Sequence, residues 1–108
     1  MNSSLPNALA GQRTRQSSTG VCPFCARRTR LTFHHLIPKK LHRRTRFKKH
    51  YSREELNRGI DICRACHDGI HARYDEMRLY QDFREPAALV ADTELKKHFD
   101  WVARQKVR

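Results

Sequence analysis

Two Cys-x2-Cys pairs, Cys22-Pro23-Phe24-Cys25 and Cys63-Arg64-Ala65-Cys66, constrain this chain more than any other feature. A two-residue spacer lets both sulfurs of one turn face a single ion, and two such turns complete a tetrahedron of soft thiolates that suits zinc. The pattern therefore predicts a structural Zn²⁺ held by Cys22, Cys25, Cys63 and Cys66. Ala26 to Ile62 separate the pairs, too much chain for a minimal zinc ribbon, so the insert must hold structure of its own. A chain of 108 residues, 38% of them hydrophobic, is expected to form one domain with a limited core, for which a metal staple supplies missing stability. No apolar run approaches the ~20 residues that span a bilayer, and the opening residues lack the apolar stretch of an export signal. The expected setting is cytoplasmic and reducing, where cysteines favour metal over disulfides. No thioredoxin-like pattern surrounds either pair, which disfavours a redox role.

Residues 1–20, rich in Ser, Gly and Asn, read as a flexible leader. Thr29 to Pro38 favours a strand, with Leu31, Phe33 and β-branched Thr29 and Thr32, ended by Pro38. Lys39 to His50 reads as a basic connection. Ser52-Arg53-Glu54-Glu55 is a capping box opening a short helix over Arg53 to Arg58, which Gly59 can close. Ile60 to Ile62 alternates as a strand. A helix is expected from about Arg64 to Phe83, weakened by about 1 kcal/mol at Gly69. Pro86 opens a helix to Ala91, and Asp92 caps a last one, Thr93 to Lys106. There Leu95, Phe99 and Val102 form one apolar stripe, with Trp101 packed beside it as core. The expected fold class is α+β, with a core over 21–84 and a C-terminal helical extension over 85–108 packed on it.

Lys and Arg outnumber Asp and Glu by 23 to 11, a formal charge of +12. That excess points to a polyanion, because basic side chains displace the counterions condensed on nucleic acid. Lys39, Lys40, Arg43, Arg44, Arg46, Lys48 and Lys49 crowd the connection after the first strand. They are candidates for phosphate contacts, which position a duplex without reading its sequence. Arg27, Arg28 and Arg30 could extend the patch.

Seven histidines are many for this length. His67 and His71, four apart on a helix, share one face and can hold one ion. His34 and His35 are adjacent on a strand and point to opposite faces, so only one of them can easily join that ion. The other is left for water or substrate, as a base that is neutral near pH 7.

With Cys22-x2-Cys25, Thr32-Phe33-His34-His35-Leu36-Ile37-Pro38, Asn57, Ile62-Cys63-Arg64-Ala65-Cys66-His67 and His71 in view, the chain resembles the HNH (ββα-metal) endonucleases. The resemblance spans Val21 to Tyr74, about half the sequence. It implies a hairpin and helix clasping a catalytic divalent ion (Mg²⁺, Mn²⁺, Ni²⁺ or Zn²⁺), flanked by a four-cysteine zinc knuckle. It assigns His34, His67 and His71 to that ion, His35 to the general base, and Asn57 to positioning the base. The implied activity is DNA phosphodiester hydrolysis, and the implied partner double-stranded DNA. Two features depart from the family: a long basic gap before Asn57, and Ile70 where many members carry lysine. The reading from another class is a non-catalytic zinc-finger module binding DNA or RNA. A third is a zinc-bearing subunit of a nucleoprotein assembly. His42, His50 and His98 carry no assignment.

Overall fold

The histidine-bearing strand and the strand that delivers the second cysteine pair are hydrogen-bonded neighbours, and everything else is arranged around them. The computed structural model describes residues 11–12 and 18–107. Strands β1 (Gly11–Gln12), β2 (Ser18–Val21), β3 (Arg28–His35) and β4 (Arg58–Cys63) form an antiparallel sheet in the order β1-β4-β3-β2. In the β3–β4 ladder Leu31 faces Cys63, Thr32 faces Ile62, His34 faces Ile60 and His35 faces Gly59. The architecture is α+β, with helices α1 (Thr45–His50), α2 (Arg53–Leu56), α3 (Arg64–Arg73), α4 (Glu76–Asp82), α5 (Pro86–Ala91) and α6 (Thr93–Ala103).

Several elements differ from the sequence expectations. The leader expected over 1–20 is strand at Gly11–Gln12 and from Ser18, because β2 pairs with β3 from Ser18↔Leu31 to Val21↔Arg28. Its other residues lie outside the described ones. The basic connection is a 3₁₀ turn at Lys39–Leu41 followed by α1. Two apolar residues among the cations decide this: Leu41 and Phe47 are buried with Ile37 and Leu56 in a small second core. Gly59 does not close α2, which ends at Leu56 with Asn57 as its cap. It lies in β4, where a Cβ would meet the His34 carbonyl oxygen at 2.3 Å and the Phe33 ring at 2.5 Å. Only glycine permits that approach.

The single helix expected over Arg64 to Phe83 is broken. Tyr74 is extended at φ −135°, ψ 138°, and Asp75 starts α4 by accepting from the Arg78 amide at 2.8 Å. The break lets the Tyr74 hydroxyl donate to Asp92 at 2.7 Å while its ring lies on Phe83, centroids 4.7 Å apart. Gly69 makes room for α6: a Cβ there would meet the His98 imidazole at 2.1 Å, and His98 Nε2 lies 2.9 Å from the Ala65 carbonyl oxygen.

The C-terminal helices belong to the main core itself. Leu89, Leu95, Phe99 and Val102 are buried in one cluster with Ile60, Ile62, Ile70 and the four cysteines, each apolar side chain worth about 1.5–3 kcal/mol of burial. The stripe is as read from sequence, but Trp101 is not core. It is 51% exposed, its ring stacked against His98 with centroids 6.0 Å apart. Among the described residues no helix is long and apolar enough to cross a membrane.

Candidate metal centres and active site

The four cysteines converge. Cys22 and Cys25 sit on the turn joining β2 to β3, closed by Cys22 N–H to Arg27 O at 2.9 Å and Ala26 N–H to Cys22 O at 2.8 Å. Ala26 takes the left-handed conformation, φ 67°. Cys63 ends β4 and caps α3, its sulfur accepting from the Cys66 amide at 3.4 Å. All four are free thiols and buried, with their sulfurs within 4.8 Å of one another. Cys25 and Cys63 sulfurs are 3.7 Å apart, against the ~3.8 Å edge of a tetrahedron built on Zn–S bonds of ~2.3 Å. The Cys66 thiol, hydrogen-bonded to Cys22, pulls the Cys22 thiol down to about 4. The Cys22 partner and burial push Cys66 up. Such a proton-sharing set could hold a structural metal such as zinc. The knuckle is tied to the helices by Phe24 stacked on Phe99, centroids 4.7 Å apart.

Arg27 is not a free phosphate ligand. Its guanidinium donates to the Cys63 sulfur at 3.5 Å and to the carbonyls of Gln105 and Lys106, both at 3.3 Å.

The second cluster is built from β3 and α3. His34, His67 and His71 place nitrogens within 4.8 Å of one another, with ring centroids 4.9–5.4 Å apart. His34 is 1% exposed, and its Nδ1 is buried with no hydrogen-bond partner. Leaving a buried polar nitrogen unpaired costs about 1–3 kcal/mol, a cost that a ligand at the nitrogen removes. Burial, then the neighbouring His67, lowers His34 to about 3. Burial, then His71, lowers His67 to about 4. Burial also lowers His71. All three rings are therefore neutral near pH 7, the form a metal requires. The donor set thus fits a divalent ion.

Thr32 was missed in the sequence. Its hydroxyl donates to the Ile62 carbonyl at 3.0 Å and lies 2.9 Å from His67 Nδ1. A hydroxyl has one proton. With that proton on Ile62, Thr32 must accept from His67, so His67 carries its hydrogen on Nδ1 and turns the lone pair of Nε2 outward. This is how a neighbour sets the tautomer of a metal-binding histidine. The signal was present: Thr32 precedes His34 by two and so shares its face of the strand.

His35, on the opposite alternation, meets the same cleft at its mouth. A cavity of about 370 Å³ is lined by Phe33, His35, Pro38, Lys39, Lys40, His67, His71 and Glu76. His35 is half-buried, edge-on to Phe33 with centroids 5.0 Å apart. His42, unassigned from sequence, lies 5.4 Å from it and is anchored by Nε2 on the Ile37 carbonyl at 2.7 Å. Glu76, also missed, pairs with Lys40 at 3.9 Å; only the unexpected helix break brings it here.

No family model, curated protein or solved structure matches this chain.

The remaining candidates divide. Of the seven cations, Lys39 and Lys40 line the histidine cavity, while Arg46 lines another with Phe47, His50, Tyr51 and Tyr80. Arg43, Arg44, Lys48 and Lys49 are exposed. The Asn57 side chain donates to the Arg53 carbonyl at 3.0 Å, so its visible work is ending α2. His98 packs on Gly69 and serves helix contact.

Proposed function

We propose that this protein is a metal-dependent endonuclease of the HNH type that hydrolyses DNA phosphodiester bonds, with zinc in the four-cysteine site. The observation that carries this reading is the buried cluster of His34, His67 and His71, opening into a cavity that His35, Lys39 and Lys40 share. His34, His67 and His71 would hold a divalent ion, which would supply positive charge to offset that building on the phosphate during cleavage. His35 removes the proton from the attacking water; its alternation on β3 keeps it off the ion-binding face. Lys39 and Lys40 hold the flanking phosphates in register at the cavity rim. Thr32 keeps His67 in the ligating tautomer, and Asn57, by ending α2 ahead of β4, sets where His35 meets Gly59.

The test is nicking of supercoiled plasmid with Mg²⁺, Mn²⁺ or Ni²⁺, with and without chelator, beside His35→Ala. Loss of a general base costs about 10²–10⁴-fold. A His35→Ala protein cutting at the wild-type rate overturns the assignment. Metal content separates the non-catalytic zinc-finger reading, which needs one ion per chain, from the nuclease, which needs two.

A further inference from the structure

A second cavity, larger than the one at the histidines, lies elsewhere on the sheet. It is a groove of about 1000 Å³ between β3, the start of α3 and the end of α6. Arg30, Arg64, Lys106, Thr32 and the exposed Trp101 line it. Its one acidic residue, Asp68, lies 3.3 Å from Arg64, so the cations outnumber it. Arg27, also in the groove wall, is already engaged with the Gln105 and Lys106 carbonyls just past the end of α6. An exposed indole beside an excess of cations over acids suits a ligand with a flat aromatic face and a phosphate. A polymer of such units fits a groove better than a single one.

Its position adds direction. Arg30, Thr32 and His34 occupy one face of β3 at strand alternation, so the groove continues the line of the ion-binding face. Thr32 lines the groove and His67 lines the cleft, and the two side chains are hydrogen-bonded to each other at 2.9 Å. We propose that this groove binds a single-stranded stretch of DNA flanking the cut site. A base stacks on Trp101 while Arg30, Arg64 and Lys106 take the backbone. The choice of DNA rests on the proposed nuclease activity; the binding itself requires neither the catalytic ion nor cutting. Stacking on an aromatic ring tolerates any base, so the groove adds affinity for frayed or unpaired DNA without adding sequence preference.

Trp101 is the chain's single tryptophan, so its fluorescence reports on this groove alone. Titration of the zinc-loaded protein with a (dT)12 oligonucleotide in buffer lacking added divalent metal should quench that emission saturably. Blunt duplex of equal length should quench it less. By anisotropy of labelled (dT)12, Trp101→Ala should weaken binding about tenfold. Trp101→Phe should recover part of the loss. Arg30→Glu should weaken binding and flatten its salt dependence. Circular dichroism confirms that the variants, changed at exposed positions, keep the fold.

Emission unaltered on saturation with (dT)12, or an unchanged affinity in Trp101→Ala, overturns the proposal. Quenching by duplex alone does so too. Plasmid nicking, measured separately, tests the other reading. Nicking without quenching removes the groove and leaves the nuclease, whereas quenching without nicking does the reverse.

Discussion

Replacing Thr32 by valine removes one oxygen and leaves the shape of the side chain nearly intact, which makes it the cleanest probe of the histidine cluster. The hydroxyl bridges the Ile62 carbonyl at 3.0 Å and His67 Nδ1 at 2.9 Å. Without it the Nδ1–H of His67 loses its acceptor, and the imidazole is free to place its hydrogen on Nε2, the nitrogen that the proposed ion would need. An unsatisfied buried donor costs about 1–3 kcal/mol. Thr32 and His67 are half-buried, and water reaching Nδ1 recovers part of that, so the lower half of the range applies to folding stability. The effect on metal is larger, because the lost bond set both tautomer and ring orientation. Outer partners of this kind are worth about 10–100-fold in metal affinity. Isothermal titration of the zinc-loaded protein with Ni²⁺ should therefore show Thr32→Val binding at least about tenfold more weakly. Thr32→Ser, which keeps the oxygen, should restore most of it. Equal affinity for the valine and wild-type proteins would falsify the tautomer argument, and with it the role given to His67 Nε2.

Three further outcomes follow from the packing. Gly69→Ala should destabilise the protein although alanine is the better helix former by about 1 kcal/mol: the new methyl meets His98 at 2.1 Å, and overpacking of about 1–3 kcal/mol wins, lowering the melting temperature by several degrees where propensity alone would raise it. Chelating the knuckle metal should unfold the domain as one unit, read as cooperative loss of far-ultraviolet ellipticity, because the cysteines share one core with Leu89, Leu95 and Phe99; full secondary structure after metal removal would refute that. Acid should destabilise the fold through His34, whose ring is held near 3 against 6.5 for an ordinary histidine. Stability is whole above about 6.5 and is lost as pH falls from there toward 3, at up to about 1.4 kcal/mol per pH unit for this ring. The urea midpoint should track that window, and His34→Gln should flatten it.

Much of the site was legible because its chemistry is local. The spacing of Cys22 with Cys25 and of Cys63 with Cys66 predicts two knuckles wherever the turns form, and one turn of helix puts His67 and His71 together. Alternation along a strand separates His34 from His35. The apolar stripe of α6 and the capping box at Ser52 are likewise local patterns. Other expectations failed where distant contacts outweighed local preference. Gly59 has the look of a helix stop, yet the Phe33 ring packs where its side chain would be. Trp101 lies next to the stripe in sequence but its angle on α6 turns it outward. The basic segment after Pro38 folds because Leu41 and Phe47 find Leu56 and Ile37. The helix break at Tyr74 rests on a hydrogen bond to Asp92, eighteen residues away.

By itself the sequence determined which donors exist, how they are spaced within each element, and the charge of the surface around them. The β3–β4 register, the break before α4 and the closure of α6 over Gly69 came only from tertiary structure. These bring His34 to His67, Thr32 to the Nδ1 of that ring, and Glu76 and Lys40 to the cavity rim. The physical reason is that hydrogen-bond spacing and alternation act over a few residues. The approach of two strands or two helices depends on which side chains fill the space between them.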